Sequence, residues 1–541
     1  MARNVFRRLL SLGRGREKNK SFSTCTSPAG TVKLSRDLAV NLNMIRDTLG
    51  NSMDVVVREL LVCRTRVALV YINGLINETA LRENVMRALM IDMHNVEPSP
   101  GSGSKDLADS VKEKVLSIAD VKKIGDFRTV LDGILGAGIV LFFNGEDTGL
   151  ILKLPGFETR SVEEPHTETV VRGSREGFVE ALSVNISMLR RRIKSPDLRL
   201  ERMQVGGVTQ TDICVAYIKG IVNTKLVDEV KKRLQRIDID GVLESGYLEE
   251  FIEDAPFSIF QTVGNTERPD KVAAKLLEGR VAIFTDGTPI VLTVPYLYIE
   301  SFQVSEDYYS RYIPGSLLRM IRLLCVIITA ELPALYVAIT AYNPEVLPSP
   351  LLISMASSRE GVPFPAIGEI LVMGVFFQIL REAGVRLPRP VGLTVSLVGA
   401  LVVGEAVVSA GLVSAPAVII IALAGICSFV VPPQSDTNLL LSLFFTILAG
   451  FAGFFGLFLG FVLVLAHMAS LRSFGAPYLS PAAPLSPGDL KDTFIRAPWW
   501  VMTGRPRVTG WKNTRRAGVV SSPSPPRNEE KKPAHRYKVD E

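Results

Sequence analysis

The sequence predicts a cytoplasmic α/β domain made of two related subdomains, followed by an all-α polytopic membrane domain with re-entrant segments. Three observations carry this. From Val391 to His467 the only acids are Glu405 and Asp436, and there is no Lys or Arg. That stretch is long enough for several membrane crossings of about 20 residues each. The first 315 residues, by contrast, are charged and patterned like a water-soluble protein, and two segments within them repeat.

Chain length and composition narrow the function. At 541 residues there is room for about three or four domains. Cys25, Cys63, Cys214, Cys325 and Cys427 have no paired spacing, so neither a disulfide framework nor a zinc site is indicated. The net charge of +6 concentrates at the ends, without basic residues interleaved among aromatics, so nucleic acid is not an expected partner. There is no GxxxxGK[ST], GxSxG, HExxH or CxxC. Neither ATP-driven transport nor an enzyme is indicated, and no cofactor is expected. Residues 1–35 are basic without a long apolar core, which reads as a flexible tail in contact with anionic lipid or solvent and not as a secretory signal.

The repeat places the soluble elements. Val70–Asn77 (VYINGLIN) matches Ala216–Asn223 (AYIKGIVN). Each follows an apolar β-branched run suited to a buried strand and ends in an Asn at a helix N-cap position. The amphipathic helices ETALRENVMRALM and TKLVDEVKKRLQRI follow. Further on, GIVLFFNGEDTGLILKLPG is echoed by RVAIFTDGTPIVLTVP, in which Asn-Gly and Asp-Gly signal hairpins. We read residues 36–165 as the first α/β subdomain, 166–198 as a helical junction and 199–312 as the second subdomain. The junction region carries Glu164, Pro165, Glu168, Arg172, Arg175 and Glu176, then Arg190, Arg191 and Arg192. Such alternation suits either an interface that transmits movement between subdomains or subunits, or an ion-paired connecting helix with a solvated face.

Residues 313–472 read as the membrane domain, with apolar runs at 323–341, 366–380, 391–413, 415–431 and 439–468. Arg311, Arg319 and Arg322 precede the first run, Arg381, Arg386 and Arg389 follow the second, and residues after 470 hold 13 Lys/Arg against 6 Asp/Glu. All three flanks are expected in the cytoplasm, with the soluble domain beside them. An even number of crossings is then required. The expected arrangement has 415–431 dipping in and returning, 439–468 as one long tilted helix, and Pro344–Pro365 as a second re-entrant piece. That gives four spans, or up to six if 439–468 folds into two. Residues 473–541 are expected as a partly disordered basic cytoplasmic tail.

Ionisable groups inside the apolar runs are the pore or gating candidates. They are Glu331, with Pro333 two residues on removing a helical hydrogen bond, Glu369 and Glu405. A carboxylate-lined cation path is one reading; an ion pair between helices, or a position near the interface, is the other. Ala406 with Ala410, Ala449 with Gly453, and Gly456 with Gly460 are spaced for close helix packing. The two membrane halves show no inverted repeat, which weakens a secondary-transporter reading.

Four stretches together resemble the A subunits of the GerA family of bacterial spore germinant receptors: EPHTETVVRGSREGFVEAL…NISMLRRRI from Glu164, GRVAIFTDGTPIVLTVP from Gly279 with EDYYSRY from Glu306, SREGVPFPAIGEILVMGVFFQILREAGVRLPRPVG from Ser358, and SFGAPYLSPAAPL from Ser473. The resemblance covers residues 35–500; the sequence beyond Arg496 departs from it. It implies a nutrient-responsive receptor of the inner spore membrane, acting with a transporter-like, nutrient-binding B subunit and a lipoprotein C subunit. It further implies a homo-oligomer, a pentamer, forming a ligand-gated cation channel. A paralogous group linked to dipicolinate-channel genes shares the motifs, and implies instead a non-conducting scaffold that clusters receptors.

Overall fold

The computed structural model describes residues 32–62, 65–91, 108, 111, 121–156, 165, 168–386, 404–509 and 513–517. Two lobes come first. In lobe 1, helix α1 (Leu38–Leu49) leads into β1 (Val55–Val62) and β2 (Thr65–Ile72), a helix α2 over residues 78–90, β3 (Val121–Ile124), α3 (Phe127–Leu135), β4 (Gly138–Phe143) and β5 (Gly149–Lys153). In lobe 2, α4 (Leu182–Arg192) precedes β6 (Leu198–Val205), β7 (Thr211–Ile218), α5 (Thr224–Gln235), α6 (Ser245–Ile252), β8 (Gly264–Thr266), α7 (Pro269–Leu277), β9 (Val281–Thr285) and β10 (Val291–Val294). The sheet orders are the same: β1-β2-β4-β5-β3 and β6-β7-β9-β10-β8. Every neighbouring pair is antiparallel.

Helices cover both faces of each sheet, which is why β4 and β9 are apolar without alternation and buried throughout. In lobe 1, Ala68, Val70 and Phe142 pack under α1 and α3, whereas Leu69, Leu141 and Phe143 pack under α2. In lobe 2, Cys214, Ala216 and Phe284 meet α4 and α7, and Val215, Ile283 and Leu292 meet α5 and α6.

The likeness extends to side-chain bonds. Asn77 Oδ1 accepts from the Ala80 amide at 3.0 Å, and Asn223 Oδ1 from the Lys225 amide at 3.1 Å, as N-caps. The hairpin-turn residue of each lobe also reaches a helix start: the Leu38 amide donates to Asn144 Oδ1 at 3.3 Å, and the Leu182 amide to Asp286 Oδ1 at 3.0 Å. Asn41 bonds both backbone groups of Ser35, and Asn185 does the same with Val179. These last correspondences come from LAVNLNMI and LSVNISML, a repeat our sequence analysis missed.

After a short helix α8 (Ser305–Tyr309) comes a bundle of α9 (Tyr312–Tyr342), α10 (Ser349–Arg359), α11 (Ala366–Arg386), a helical turn at 404–409, α12 (Ala415–Ser428) and the stretch Ser435–Ser470. Its near end touches lobe 2. Thr437 Oγ1 donates to the Ile259 carbonyl at 2.9 Å, and Val326 and Val431 pack with Phe302. At its far end Tyr342 OH donates to the Gly450 carbonyl at 2.6 Å, and Ser414 meets Glu369.

Two expectations are corrected here. The run 439–468 is not one tilted helix: it breaks at Ala452 and Gly453, where Gly453 has φ 56°, into arms α13 (435–451) and α14 (454–470). The arms are antiparallel, since Thr437 and His467 both meet the 258–259 loop of lobe 2. A Cβ on Gly456 would strike the Leu448 carbonyl, so that glycine lets the arms approach. Second, 415–431 does not dip and return. α12 starts at the far end beside Glu369 and ends at the near end, where Val431 packs against Phe302. Between Pro344 and Pro365 the chain forms a short helical turn and α10, none of whose residues is buried.

The tails also change. Residues 32–35 belong to lobe 1, where Lys33 bridges to Asp126 and Leu34 is buried. Residues 473–509 pack on lobe 2 and are not a loose tail. Ser473 Oγ donates to the Thr262 carbonyl at 2.6 Å, and Arg505 Nε to the Leu277 carbonyl at 2.8 Å. Glu164 and most of the 391–413 run lie outside the described residues.

Candidate functional site

The junction candidates divide into two groups. Arg190 points into the seam between lobes and is fully buried; Nε and Nη2 donate to Asp54 at 2.8 and 3.1 Å. The Met53 amide donates to the Leu200 carbonyl at 3.0 Å beside it, and Arg199 reaches the Thr48 carbonyl at 2.9 Å. Arg191 and Arg192 both pair with Glu176, and Arg192 also donates to Ser174 Oγ at 2.7 Å. Glu168 serves lobe 2. It accepts from Thr266 Oγ1 and Lys271 Nζ, each at 2.7 Å, while Arg268 donates to its carbonyl. Pro165 is buried, and Arg172 and Arg175 are exposed.

The bundle candidates are not brought together. Glu369 is fully buried at the far end. Its Oε1 accepts from Arg359 Nε at 3.1 Å, and its Oε2 from the Ser414 amide and Oγ at 2.9 and 2.5 Å. Tyr336 OH lies 3.2 Å from the same Ser414 Oγ, so α9, α10, α11 and α12 meet there. Glu331 is half-buried on α9 and Glu405 exposed; neither has a partner among the described residues. Pro333 lies in an unbroken α9, tightly packed.

A second set of groups had no signal in the sequence, because their pairing depends on how α8 and residues 489–500 fold against α9. Arg319 and Arg322 look like basic flanks, yet both are buried. Arg322 clasps Asp307 at 2.8 and 2.6 Å, and Arg319 donates to Asp492 Oδ1 at 2.9 Å and its carbonyl at 2.7 Å. Tyr308 OH donates to Asp492 Oδ2 at 2.8 Å, and Trp499 stacks on Tyr308 with ring centroids 5.9 Å apart. The start of α9 is thus fastened to α8 and to residues 489–500.

Next to this clasp, Glu300 is buried between Arg280, which pairs with Oε1, and Lys275, 3.3 Å from Oε2. Burial opposes the Glu300 charge, but Arg280 and Lys275 hold its carboxyl below the usual range. Burial also pushes the Lys275 ammonium down to about 8, outweighing the attraction of Glu300, with Lys271 and Arg280 adding like-charge repulsion. A cavity of about 540 Å³ adjoins Glu300. Lobe 2 and the junction contribute Glu168 and Lys271, the linker Gln303, and the near end of the bundle Phe429, Pro432 and Asp436. The arrangement can carry force: a shift of lobe 2 or of the junction bears directly on the base of α9, α12 and α13. Among the described residues no cluster suits a metal ion.

A two-lobed antiparallel α/β head clasped to an apolar helical bundle by buried ion pairs defines a membrane-associated protein. Tyr312–Tyr342 and Pro432–Ser470 are long and apolar enough to cross a membrane, with mean hydropathies of 2.1 and 2.5. The family model "Bacillus/Clostridium GerA spore germination protein" matches residues 43–508, and the chain belongs to that family. The match runs to residue 508, slightly past the end of the resemblance at 500. Spore germination protein KA of Bacillus subtilis is 43% identical over 91% of this chain and 90% of its own length. Spore germination protein GerLA of Bacillus cereus is 37% identical over 89% of this chain and 98% of its own. The crystal structure of the N-terminal domain of the A subunit of the Bacillus megaterium spore germinant receptor GerK3 is 35% identical, covering 50% of this chain and 98% of that domain, with a TM-score of 0.40.

Proposed function

We propose that this chain is the A subunit of a nutrient-responsive germinant receptor, and that copies of it surround a cation-conducting pore. One observation carries the reading. Glu331 and Glu405 sit on an apolar bundle without partners among the described residues. An ionisable group facing hydrocarbon is costly, so it faces water or another protein surface. A ring of copies, five by family resemblance, would turn such carboxylates toward a common wet axis.

The ends of the described helices support a multi-pass topology. α9 leads away from the lobes, α11 returns, α12 runs from the far end to the near end, and α13 and α14 lead out and back. The lobes and residues 473–509 then share one face, the cytoplasmic or core side of the inner spore membrane. A transporter-like B subunit would bind the nutrient, with a lipoprotein C subunit alongside. The pull on lobe 2 would reach the bundle through Arg319 and Arg322.

The test is potassium efflux from liposomes holding the purified chain, with Glu405→Gln and Glu331→Gln beside it. Efflux weakened or altered in selectivity by either change supports the pore. No efflux from particles that image as rings would replace it with a non-conducting scaffold.

A further inference from the structure

We propose that the loop Asp254–Ile259 of lobe 2 is a membrane-interface anchor, in which Phe257 inserts among the lipid headgroups at the edge of the bundle. The inference rests on the reading that the bundle spans a bilayer, and goes beyond it by assigning lipid contact to the soluble head. The apolar run of the α13–α14 hairpin extends from Leu439 to Met468. Thr437 and His467 therefore mark the level where its arms leave hydrocarbon. The loop is bonded at that level. Thr437 Oγ1 donates to the Ile259 carbonyl at 2.9 Å, and Ser258 Oγ lies 2.9 Å from His467 Nε2.

The loop is also held firmly. Phe260 is buried among His467, Tyr298 and Tyr478, with ring centroids 6.0, 6.4 and 6.2 Å away. Asp254 pairs with Arg233 at 2.6 Å and accepts from the Phe474 amide. From this fixed base Phe257 projects with its whole surface exposed, flanked by exposed Pro256 and Ile259. A phenylalanine held rigidly in water gains nothing, whereas at headgroup depth its ring leaves water, which is favourable. Exposed Arg472, five residues beyond His467, supplies a cation at the same level for lipid phosphates. The anchor would fix the tilt of lobe 2 against the bilayer, so that forces on the lobe turn into movement of the bundle base.

The experiment places the photoreactive residue p-benzoylphenylalanine at Phe257 in the full chain, reconstituted in phosphatidylcholine–phosphatidylglycerol liposomes. The same residue goes at Phe458, on the exposed face of α14, and at Val208, exposed at the β6–β7 turn of lobe 2. After irradiation, mass spectrometry reads lipid adducts and gels read protein crosslinks. The anchor predicts lipid adducts at 257 and 458, several-fold above those at 208. A crosslink from 257 to a second copy, or no lipid adduct at 257 while 458 reacts, overturns the anchor and leaves the membrane reading intact. No lipid adduct at 458 removes the membrane reading and the anchor with it.

Discussion

Arg190 and Asp54 lie 136 residues apart in the chain and close a two-point ion pair across the seam of the lobes, at 2.8 and 3.1 Å, both buried. Arg190 Nη1 also donates, to the Ser195 and Leu198 carbonyls at 3.3 and 3.4 Å. Such a pair contributes little against an apolar replacement, but removing one partner strands a buried charge at a cost of about 3–5 kcal/mol. Arg190→Met should therefore lower the melting temperature of the detergent-solubilised chain strongly. Adding Asp54→Leu should restore most of it. A double variant no better than the single would mean the pair is not what joins the lobes.

Lys275 makes the stability of lobe 2 depend on pH on the alkaline side. Its pKa falls from 10.5 to about 8 on folding, because burial penalises the ammonium more than Glu300 rewards it. Below pH 8 it is charged in both states and carries the full penalty, about 3 kcal/mol. Between about 8 and 10.5 the unfolded chain holds a proton that the folded chain has released, so this residue's contribution to stability rises with pH. Lys275→Met should thus stabilise the protein most near pH 7, and its advantage should shrink by pH 10. Melts of both proteins across that range check the sign; an advantage that grows with pH would refute it.

Much of the head could be read from the sequence because its signals are local. Asn144-Gly145 and Asp286-Gly287 mark turns by backbone preference alone, and Asn77 and Asn223 cap the helices that directly follow them. The bundle was harder. The turn at Ala452–Gly453 has no charge or proline, since a buried helical hairpin needs only a residue that tolerates positive φ and little side-chain volume. Arg319 resembled a solvated flank because its partner Asp492 is some 170 residues downstream, and Arg322 because its pairing with Asp307 depends on how α8 folds back on α9. Glu369 could be identified as a buried acid, but not its pairing with Arg359 and Ser414, which depends on how α10 folds back.

The hairpin makes a prediction at Gly456. A methyl group there would strike the Leu448 carbonyl, a backbone atom that cannot turn aside, and at Gly460 it would meet Leu448 and Phe445 side chains. Gly456→Ala should cost about 1–3 kcal/mol through overpacking. Gly374→Ala, in α11 with nothing within 4 Å, should leave stability near the parent or slightly above it. Melts in detergent or nanodiscs that rank the two changes equally would argue that the arms do not lie against each other.

The carboxylates of the bundle should separate by what surrounds them. Glu369 accepts three hydrogen bonds from Arg359 and Ser414, so its charge is already answered within the chain. Glu369→Ala should leave the Ser414 hydroxyl and amide and the Arg359 guanidinium short of an acceptor, at a cost of about 1–3 kcal/mol or more. Glu369→Gln retains an acceptor oxygen and should cost less, with ion selectivity unchanged in both. Glu405 is exposed, so Glu405→Gln should leave the melting temperature within about 0.5 kcal/mol equivalent of the parent. Its effect should appear in liposome efflux, as a loss of preference for cations over anions. Efflux that responds to Glu369→Gln and ignores Glu405→Gln would move the conducting path to the far-end network of Tyr336, Arg359 and Ser414.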